Sequence, residues 1–416
     1  MQPKWLNHIK LSGPRPYLFA VLLLTAFGVD QLPAAAQTGA SVPAEYPTGT
    51  DDRRSEAIAR VVERLEAEIR TAMEEGRIPS ITVALTDREG ELWAGAYGES
   101  NRWAGTPAST ETVYLIGSTF KAQSTIGLLQ QMESGLFRLD DPVNPYLTGF
   151  QIREEPGFPV TFRQLLTHTS GLPAAYGGHD VWGETVPDPL PDYLRRSLQV
   201  EGPPMERVVY SNLAYTLVGY LVEHFSGIPY KQYIAERVWA PLGMSTTAFS
   251  PTPSMEERLS IPYAPNRRTG ELAPAGRTKA DVWPAGIVYG TVHDQASWVR
   301  FNLGDGAVEG GRLLQPETME LMHTLQFPRF SGGKMGGGWG YDRAGYGLTW
   351  WTSDRDGEAF FAHSGSVSGY TAFVAGNRSR GFGIAILTNG HRAHRHLVPV
   401  CNLALDLLAE ELAESR

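Results

Sequence analysis

Ser118 and Lys121 stand three residues apart at the start of Ser118–Ser134, a stretch rich in Ala, Gln and Leu and ended by Gly135. The pattern predicts a mostly buried helix. On its first turn residues i and i+3 share a face. Lysine, unlike arginine, can lose its proton when desolvated. An amine there could take the serine proton, and the helix N-terminus would favour the negative charge that develops. Lysines are scarce, only Lys4, Lys10, Lys121, Lys231, Lys279 and Lys334 among 36 basic side chains, which singles Lys121 out. The plainer alternative is that Ser118 caps the helix and Lys121 lies on the surface. A rival copy, Ser331-Gly332-Gly333-Lys334, carries two glycines that disfavour the helix needed to hold such a pair together.

Tyr210-Ser211-Asn212 is the one Y-x-N among 17 tyrosines and precedes a helical pattern over 212–225. A phenol and a carboxamide could converge on the serine, one moving protons and the other holding a substrate carbonyl; alternatively Asn212 only caps its helix. His363-Ser364-Gly365-Ser366 follows the run Ala359–Ala362 and precedes a strand signal. A strand edge with glycine beside the site could offer backbone N–H groups to an oxyanion, whereas the bland alternative is a loop histidine. Lys334-Met335-Gly336 competes with it but lies in a run of glycines. His391, His394 and His396, interleaved with Arg392 and Arg395, read as a polar rim better than as a metal site, and Arg395 could meet a substrate carboxylate. No phosphate-loop spacing and no G-x-S-x-G elbow occur.

The ordered set of Ser118-x-x-Lys121, Tyr210-x-Asn212 and His363-Ser364-Gly365 resembles the active-site motifs of the penicillin-recognising serine hydrolases. The likeness is to the superfamily of class C β-lactamases, D-alanyl-D-alanine carboxypeptidases and their esterase relatives. Leu165-Leu166-Thr167-His168-Thr169-Ser170-Gly171-Leu172-Pro173, Pro284-Ala285-Gly286 ahead of His293-Asp294, and Tyr346-Gly347-Leu348-Thr349-Trp350 extend the resemblance over about residues 57–412. It implies that Ser118 is the nucleophile and that Lys121 and Tyr210 share the proton. Asn212 would then orient the acyl carbonyl, and the backbone N–H groups of Ser118 and Ser366, beside Gly365, would form the oxyanion hole. No cofactor or metal is implied. His363 stands where many members carry lysine. A histidine near its unperturbed pKa of about 6.5 is mostly neutral at pH 7, so peptides and esters are expected ahead of β-lactams, with carboxylate-bearing substrates gaining near pH 6. A non-turnover penicillin-binding or peptidoglycan-binding protein is the reading from outside the enzymes.

The elements that must position these residues are legible from the pattern. Ile58, Val61, Val62, Leu65, Ile69 and Met73 recur at helical spacing before Gly76, and Ile81–Thr86 with Leu92–Tyr97 read as a hairpin turning at Arg88-Glu89-Gly90. Helices separated by Pro-rich loops follow from Asp140 to about Asn266. Strand signals return at Tyr346–Thr352, Ala359–Ala362, Tyr370–Ala375 and Gly383–Leu387, and a helix from about His396 to Glu411 closes the pattern. Strands at both ends around a helical insert imply one sheet assembled from distant segments. The expected fold is α/β (α+β), two-lobed and serine β-lactamase/transpeptidase-like: an antiparallel sheet flanked by helices (54–139 and 280–416) beside an all-helical lobe (140–279).

The 416 residues are 42% hydrophobic and 19% charged, a globular composition. The formal charge of −9 argues against nucleic acid or anionic lipid and for a small-molecule or peptide substrate. Cys401 is the single cysteine, so no intrachain disulfide is available. Basic residues before Tyr17, an apolar run from Tyr17 to Val29 and Ala34-Ala35-Ala36 predict a secretory signal over 1–36. The run is shorter than the roughly 20 residues of a membrane span. A flexible tether over 37–53, no lasting membrane anchor and a periplasmic or extracellular location follow as expectations. Oligomeric state is not legible.

Overall fold

The computed structural model describes residues 52–175, 178–181, 190–280, 283–327 and 343–413. The expected signal, most of the tether and the rival Ser331 and Lys334 fall outside these residues.

Helix α1 (Asp52–Gly76) buries Ile58, Val61, Val62, Leu65 and Ile69. The same stripe was legible in the sequence, and it packs against the closing helix α6 (His394–Ala413) on one face of the sheet. Arg60 and Glu411 pair at 2.9 Å and Arg64 and Glu410 at 3.4 Å along this seam. Such exposed pairs contribute at most about 1 kcal/mol each, so apolar burial holds the helices in place.

The sheet has eight strands: β1 (Ser80–Asp87), β2 (Glu91–Asn101), β3 (Thr106–Pro107), β4 (Arg343–Tyr346), β5 (Trp351–Arg355), β6 (Glu358–Val367), β7 (Tyr370–Asn377) and β8 (Phe382–Thr388). They lie in the order β4-β5-β6-β7-β8-β1-β2-β3 with every pair antiparallel. Strand β1 pairs with both β2 and β8, Thr82 facing Ala96 on one side and Leu387 on the other. It is buried along its whole length instead of alternating. Val83 and Leu85 join the core under α1 and α6, while Ala84 joins the core on the other face. A strand covered on both faces has no solvent side to pattern, which is why β1 reads as a continuous apolar and small-residue run.

On the second face, α5 (Val292–Leu303) packs across β1, β7 and β8. Behind it the same core extends through α2 (Phe120–Glu133), α3 (Phe162–Leu166) and α4 (Asn212–Ser226), with Phe120, Ile126, Leu213 and Leu217 fully buried. Between residues 140 and 279 the helices are joined by two short ribbons, Tyr263–Pro265 with Leu272–Pro274 and Gly178–Val181 with Arg277–Ala280. The strand expected over Tyr346–Thr352 is two strand ends: Tyr346 closes β4, Trp351 opens β5, and the chain turns between them through Thr349 at φ +76°.

Candidate active site

Ser118 lies in a 3-10 turn, Gly117–Thr119, that runs straight into α2. The helix begins after it, with Thr119 at the cap position making no side-chain cap bond. The Ser118 hydroxyl is therefore not spent on capping. Gly117 sits at φ +57°, and a Cβ there would stand 2.8 Å from Ser366 N. A Cβ at Gly365 would press on the Ile116 carbonyl oxygen and stand 3.0 Å from Ser118 N. Only glycines let the turn and β6 approach this closely, and the approach brings the backbone nitrogens of Ser118 and Ser366 to one seam.

Lys121 is completely buried. Its Nζ lies 3.0 Å from Ser118 Oγ and donates to the Ala285 carbonyl oxygen at 2.7 Å. It also stands 4.9 Å from the centre of the Tyr210 ring and 5.6 Å from that of Tyr215. Burial holds its pKa well below the ordinary ammonium value. Desolvation without a carboxylate to offset it disfavours the charged form, and a neutral amine can accept the Ser118 proton while still donating to Ala285.

The cap of α4 is Ser211, not Asn212: Ser211 Oγ accepts from Ala214 N–H at 3.0 Å and donates to the Pro173 carbonyl at 2.7 Å. The alternative role for Asn212 is thus filled by its neighbour, and its carboxamide Nδ2 donates to the Ala175 carbonyl at 3.3 Å. Tyr210, half-buried, lies against His168 with ring centres 4.2 Å apart and planes tilted by 32°, and 6.2 Å from the His363 ring.

His363 is in a strand, paired with Val374 of β7, rather than in a loop. It is fully buried, donates from Nδ1 to the Ser364 carbonyl at 2.7 Å and stacks on Trp351 at 5.3 Å with planes 10° apart. Burial, then the nearby Lys121, pushes its pKa down to about 3. The expectation of a pKa near 6.5, with carboxylate-bearing substrates gaining near pH 6, is therefore corrected: burial leaves His363 a neutral imidazole at pH 6 as at pH 7.

A hydroxyl network ties these pieces together. Thr349 N donates to the Leu166 carbonyl at 2.8 Å, and its hydroxyl bonds both Thr125 of α2 and Tyr215 of α4. Thr125 Oγ1 in turn donates to the Lys121 carbonyl at 3.1 Å. The sequence flagged the stretch around Thr349 but not the threonine itself. Tyr215 and Trp351 also escaped notice, and Ala285 was named only as part of a motif, because their roles are a hydroxyl, a ring face and a carbonyl brought in from distant segments. Arg395 is exposed and donates to His396 Nε2 at 2.8 Å; no described contact joins it to the Ser118 cluster. A cavity of about 820 Å³ opens between Arg88, Arg300 and Arg378, away from these residues. Chemistry, rather than volume, marks the candidate site.

The family model described as Beta-lactamase matches residues 65–399. The chain belongs to the beta-lactamase family. This family member is 27% identical over 328 residues to Penicillin-binding protein 4 of Amycolatopsis lactamdurans, covering 76% of this chain and 82% of that protein. It is 23% identical to Protein flp of Staphylococcus aureus, covering 79% of this chain but only 63% of that longer protein. Among solved structures, the octameric penicillin-binding protein homologue from Pyrococcus abyssi aligns with a TM-score of 0.70 at 27% identity, over 83% of this chain and 77% of that one. A class C beta-lactamase aligns with a TM-score of 0.67 at 17% identity, over 87% and 98%, a likeness of fold. The beta-lactamase family assignment carries with it the serine β-lactamase/transpeptidase fold, with a large antiparallel sheet and many helices.

Proposed function

We propose that this chain is a secreted serine hydrolase working through an acyl-enzyme on ester or peptide bonds, D-amino-acid peptides included. The observation that carries the reading is the Lys121 amine, buried and 3.0 Å from Ser118 Oγ. In the proposed sequence neutral Lys121 accepts the Ser118 proton as Oγ adds to the substrate carbonyl carbon. The carbonyl electrons move onto oxygen, where the Ser118 and Ser366 N–H groups stabilise them. Collapse expels the leaving group, protonated by way of Tyr210 and Lys121, and leaves an ester on Ser118. Asn212 orients the acyl carbonyl. Water, deprotonated by the same pair, then attacks that ester and returns the proton to Ser118.

The neutral, buried His363 supports substrates without a free carboxylate ahead of classical penicillins, since an uncharged imidazole offers a carboxylate less than an ammonium would. Two other readings are kept by the comparisons. A class C-like β-lactamase would use this same fold, and a non-turnover penicillin-binding or peptidoglycan-binding protein would agree with the binding named in the Amycolatopsis relative.

The test is intact-mass analysis of the purified protein with a fluorophosphonate. It is combined with turnover of p-nitrophenyl esters, D-amino-acid peptides and a chromogenic cephalosporin. One adduct lost in Ser118→Ala but kept in Ser331→Ala, with ester or peptide turnover falling by about 10³-fold or more in Ser118→Ala, is the expected result. A single stoichiometric burst on every substrate would establish the non-turnover reading instead. Cephalosporin turnover exceeding that of esters and peptides would establish the β-lactamase. Labelling that persists in Ser118→Ala would overturn the assignment of the nucleophile.

A further inference from the structure

We propose that His168 is a positioning residue for Tyr210, fixing the phenol beside Lys121 through one backbone hydrogen bond and one ring contact. The proposal rests on the reading of Tyr210 as a proton carrier.

Three observations meet at His168. Its Nδ1 accepts the N–H of Ser211 at 3.0 Å, so it grips the backbone of the residue between Tyr210 and Asn212. Its ring lies 4.2 Å from the Tyr210 ring and 5.1 Å from that of Tyr215, so the phenol rests on a fixed surface. And it holds φ +57°, a backbone conformation that costs a histidine energy and persists only where the surroundings impose it. The surroundings do impose it: His168 is fully buried, its own carbonyl accepts from Val209 N–H at 2.8 Å, and the Thr169 carbonyl accepts from Met205 N–H at 2.7 Å. The loop carrying His168 and the segment entering Tyr210 are thereby laced together on both sides of the imidazole.

The hydrogen bond also fixes the tautomer. Because Nδ1 accepts, the neutral ring carries its proton on Nε2. His363 is fixed the other way, its Nδ1–H donating to the Ser364 carbonyl. Two neutral imidazoles of opposite tautomer flank one phenol. Burial above all keeps His168 uncharged, so it adds no positive charge beside the lysine that must shed its proton. A residue that sets where Tyr210 stands acts on the chemical step, because a misplacement of about 1 Å can cost about 10²-fold.

Three replacements separate the contributions. Asn offers an oxygen where His168 has Nδ1 and tolerates positive φ, Phe keeps a ring without the acceptor, and Ala has neither. With a p-nitrophenyl ester, His168→Ala is expected to lower kcat by about 10²-fold with KM changed by less than about threefold, and His168→Asn and His168→Phe by about tenfold each. Loss in only one of the last two supports the proposal and identifies the dominant contact. In a Tyr210→Phe background, His168→Ala is expected to cost nothing further, since its effect passes through the phenol. Fluorophosphonate labelling of the parent at Ser118, measured alongside, tests the underlying reading separately. Wild-type kcat in both His168→Asn and His168→Phe, a loss in KM alone, or full additivity with Tyr210→Phe would overturn the proposal. If His168→Ala does not fold, the Asn and Phe variants decide.

Discussion

Tyr215 Oη and Thr349 Oγ1 lie 2.5 Å apart inside the core, joining the helix that follows Tyr210 to the turn that leads into β5. Tyr215 Oη also lies 3.1 Å from the Leu166 carbonyl oxygen, two residues before His168. Thr349 reaches the same carbonyl through its backbone N–H. The segments bearing Lys121, His168 and Tyr210 are thus referenced to one buried point, and that point is a β-branched residue held at φ +76°. Strain of this kind persists only where neighbours over-determine it.

Thr349→Val keeps the shape and the positive φ but removes the hydroxyl. Thr125 and Tyr215 each retain one other partner, so the expected cost is about 1–2 kcal/mol of unfolding free energy, read as a fall in denaturation midpoint with an unchanged m-value. Stability equal to the parent would mean that the network is dispensable.

Lys121→Met should be inactive yet more stable at neutral pH. The buried amine has its folded pKa below the ordinary 10.5. Between those two values the unfolded chain binds the proton and the folded chain does not, so the parent gains stability as pH rises towards 10.5 and loses it as pH falls. Methionine removes that cost. The melting-temperature gain of Lys121→Met over the parent is therefore expected to shrink from pH 7 to pH 10. A gain that grows over that range would contradict the depressed lysine pKa.

For His363 the sign runs from the same linkage. Its folded pKa of about 3 lies below the ordinary 6.5, so the stability of its neutral form is fully present above about 6.5 and is lost as pH falls towards 3. His168 and His323, also buried with lowered pKa, add to the same trend. Acid unfolding monitored from pH 7 to pH 3 should steepen below about 6.5 and ease in His363→Gln. Over pH 6 to 8 the ratio of kcat/KM for a peptide acid to that for its amide should change by less than about twofold. A tenfold rise in that ratio at pH 6 would show a titrating imidazole facing the substrate.

Gly117→Ala tests the seam between the serine turn and β6. The added methyl meets Ser366 N at 2.8 Å in a backbone conformation unfavourable to alanine. Turnover is expected to fall by about 10²-fold or more through displacement of an N–H donor, with the fluorophosphonate adduct still forming slowly at Ser118. Unchanged kcat would remove the Ser366 N–H from the oxyanion role.

Elements with strong periodicity were legible: the α1 stripe from Ile58 to Ile69, the hairpin turning at Arg88-Glu89-Gly90 and the late strands all lie within a few residues of their expected places. Legibility failed where a local signal met a distant partner. Tyr346–Thr352 reads as one strand because Tyr, Thr and Trp favour strands, but the turn through Thr349 is imposed by Leu166, Thr125 and Tyr215. For His363 both a strand edge and a loop were open because Gly and Ser follow it, and the residue-for-residue pairing with β7 decides for the strand. The spacing put Ser118 and Lys121 on one face of a turn, and the ordered set of motifs was needed to favour a buried pair over a cap and a surface lysine. The depressed pKa of His363 and the grip of His168 on Ser211 were not legible, since both depend on packing between segments far apart in the chain.

The pairing of β1 with β8 has a temporal meaning. The sheet's second strand partner for Ser80–Asp87 is Phe382–Thr388, near the opposite end of the described chain. During synthesis β1 waits with one edge open while some three hundred residues are added, and contacts of such sequence separation form slowly. A chain cut short anywhere before residue 382 would keep that edge bare in the middle of its core, available to another copy for pairing. Premature termination should therefore yield aggregates rather than smaller folded proteins.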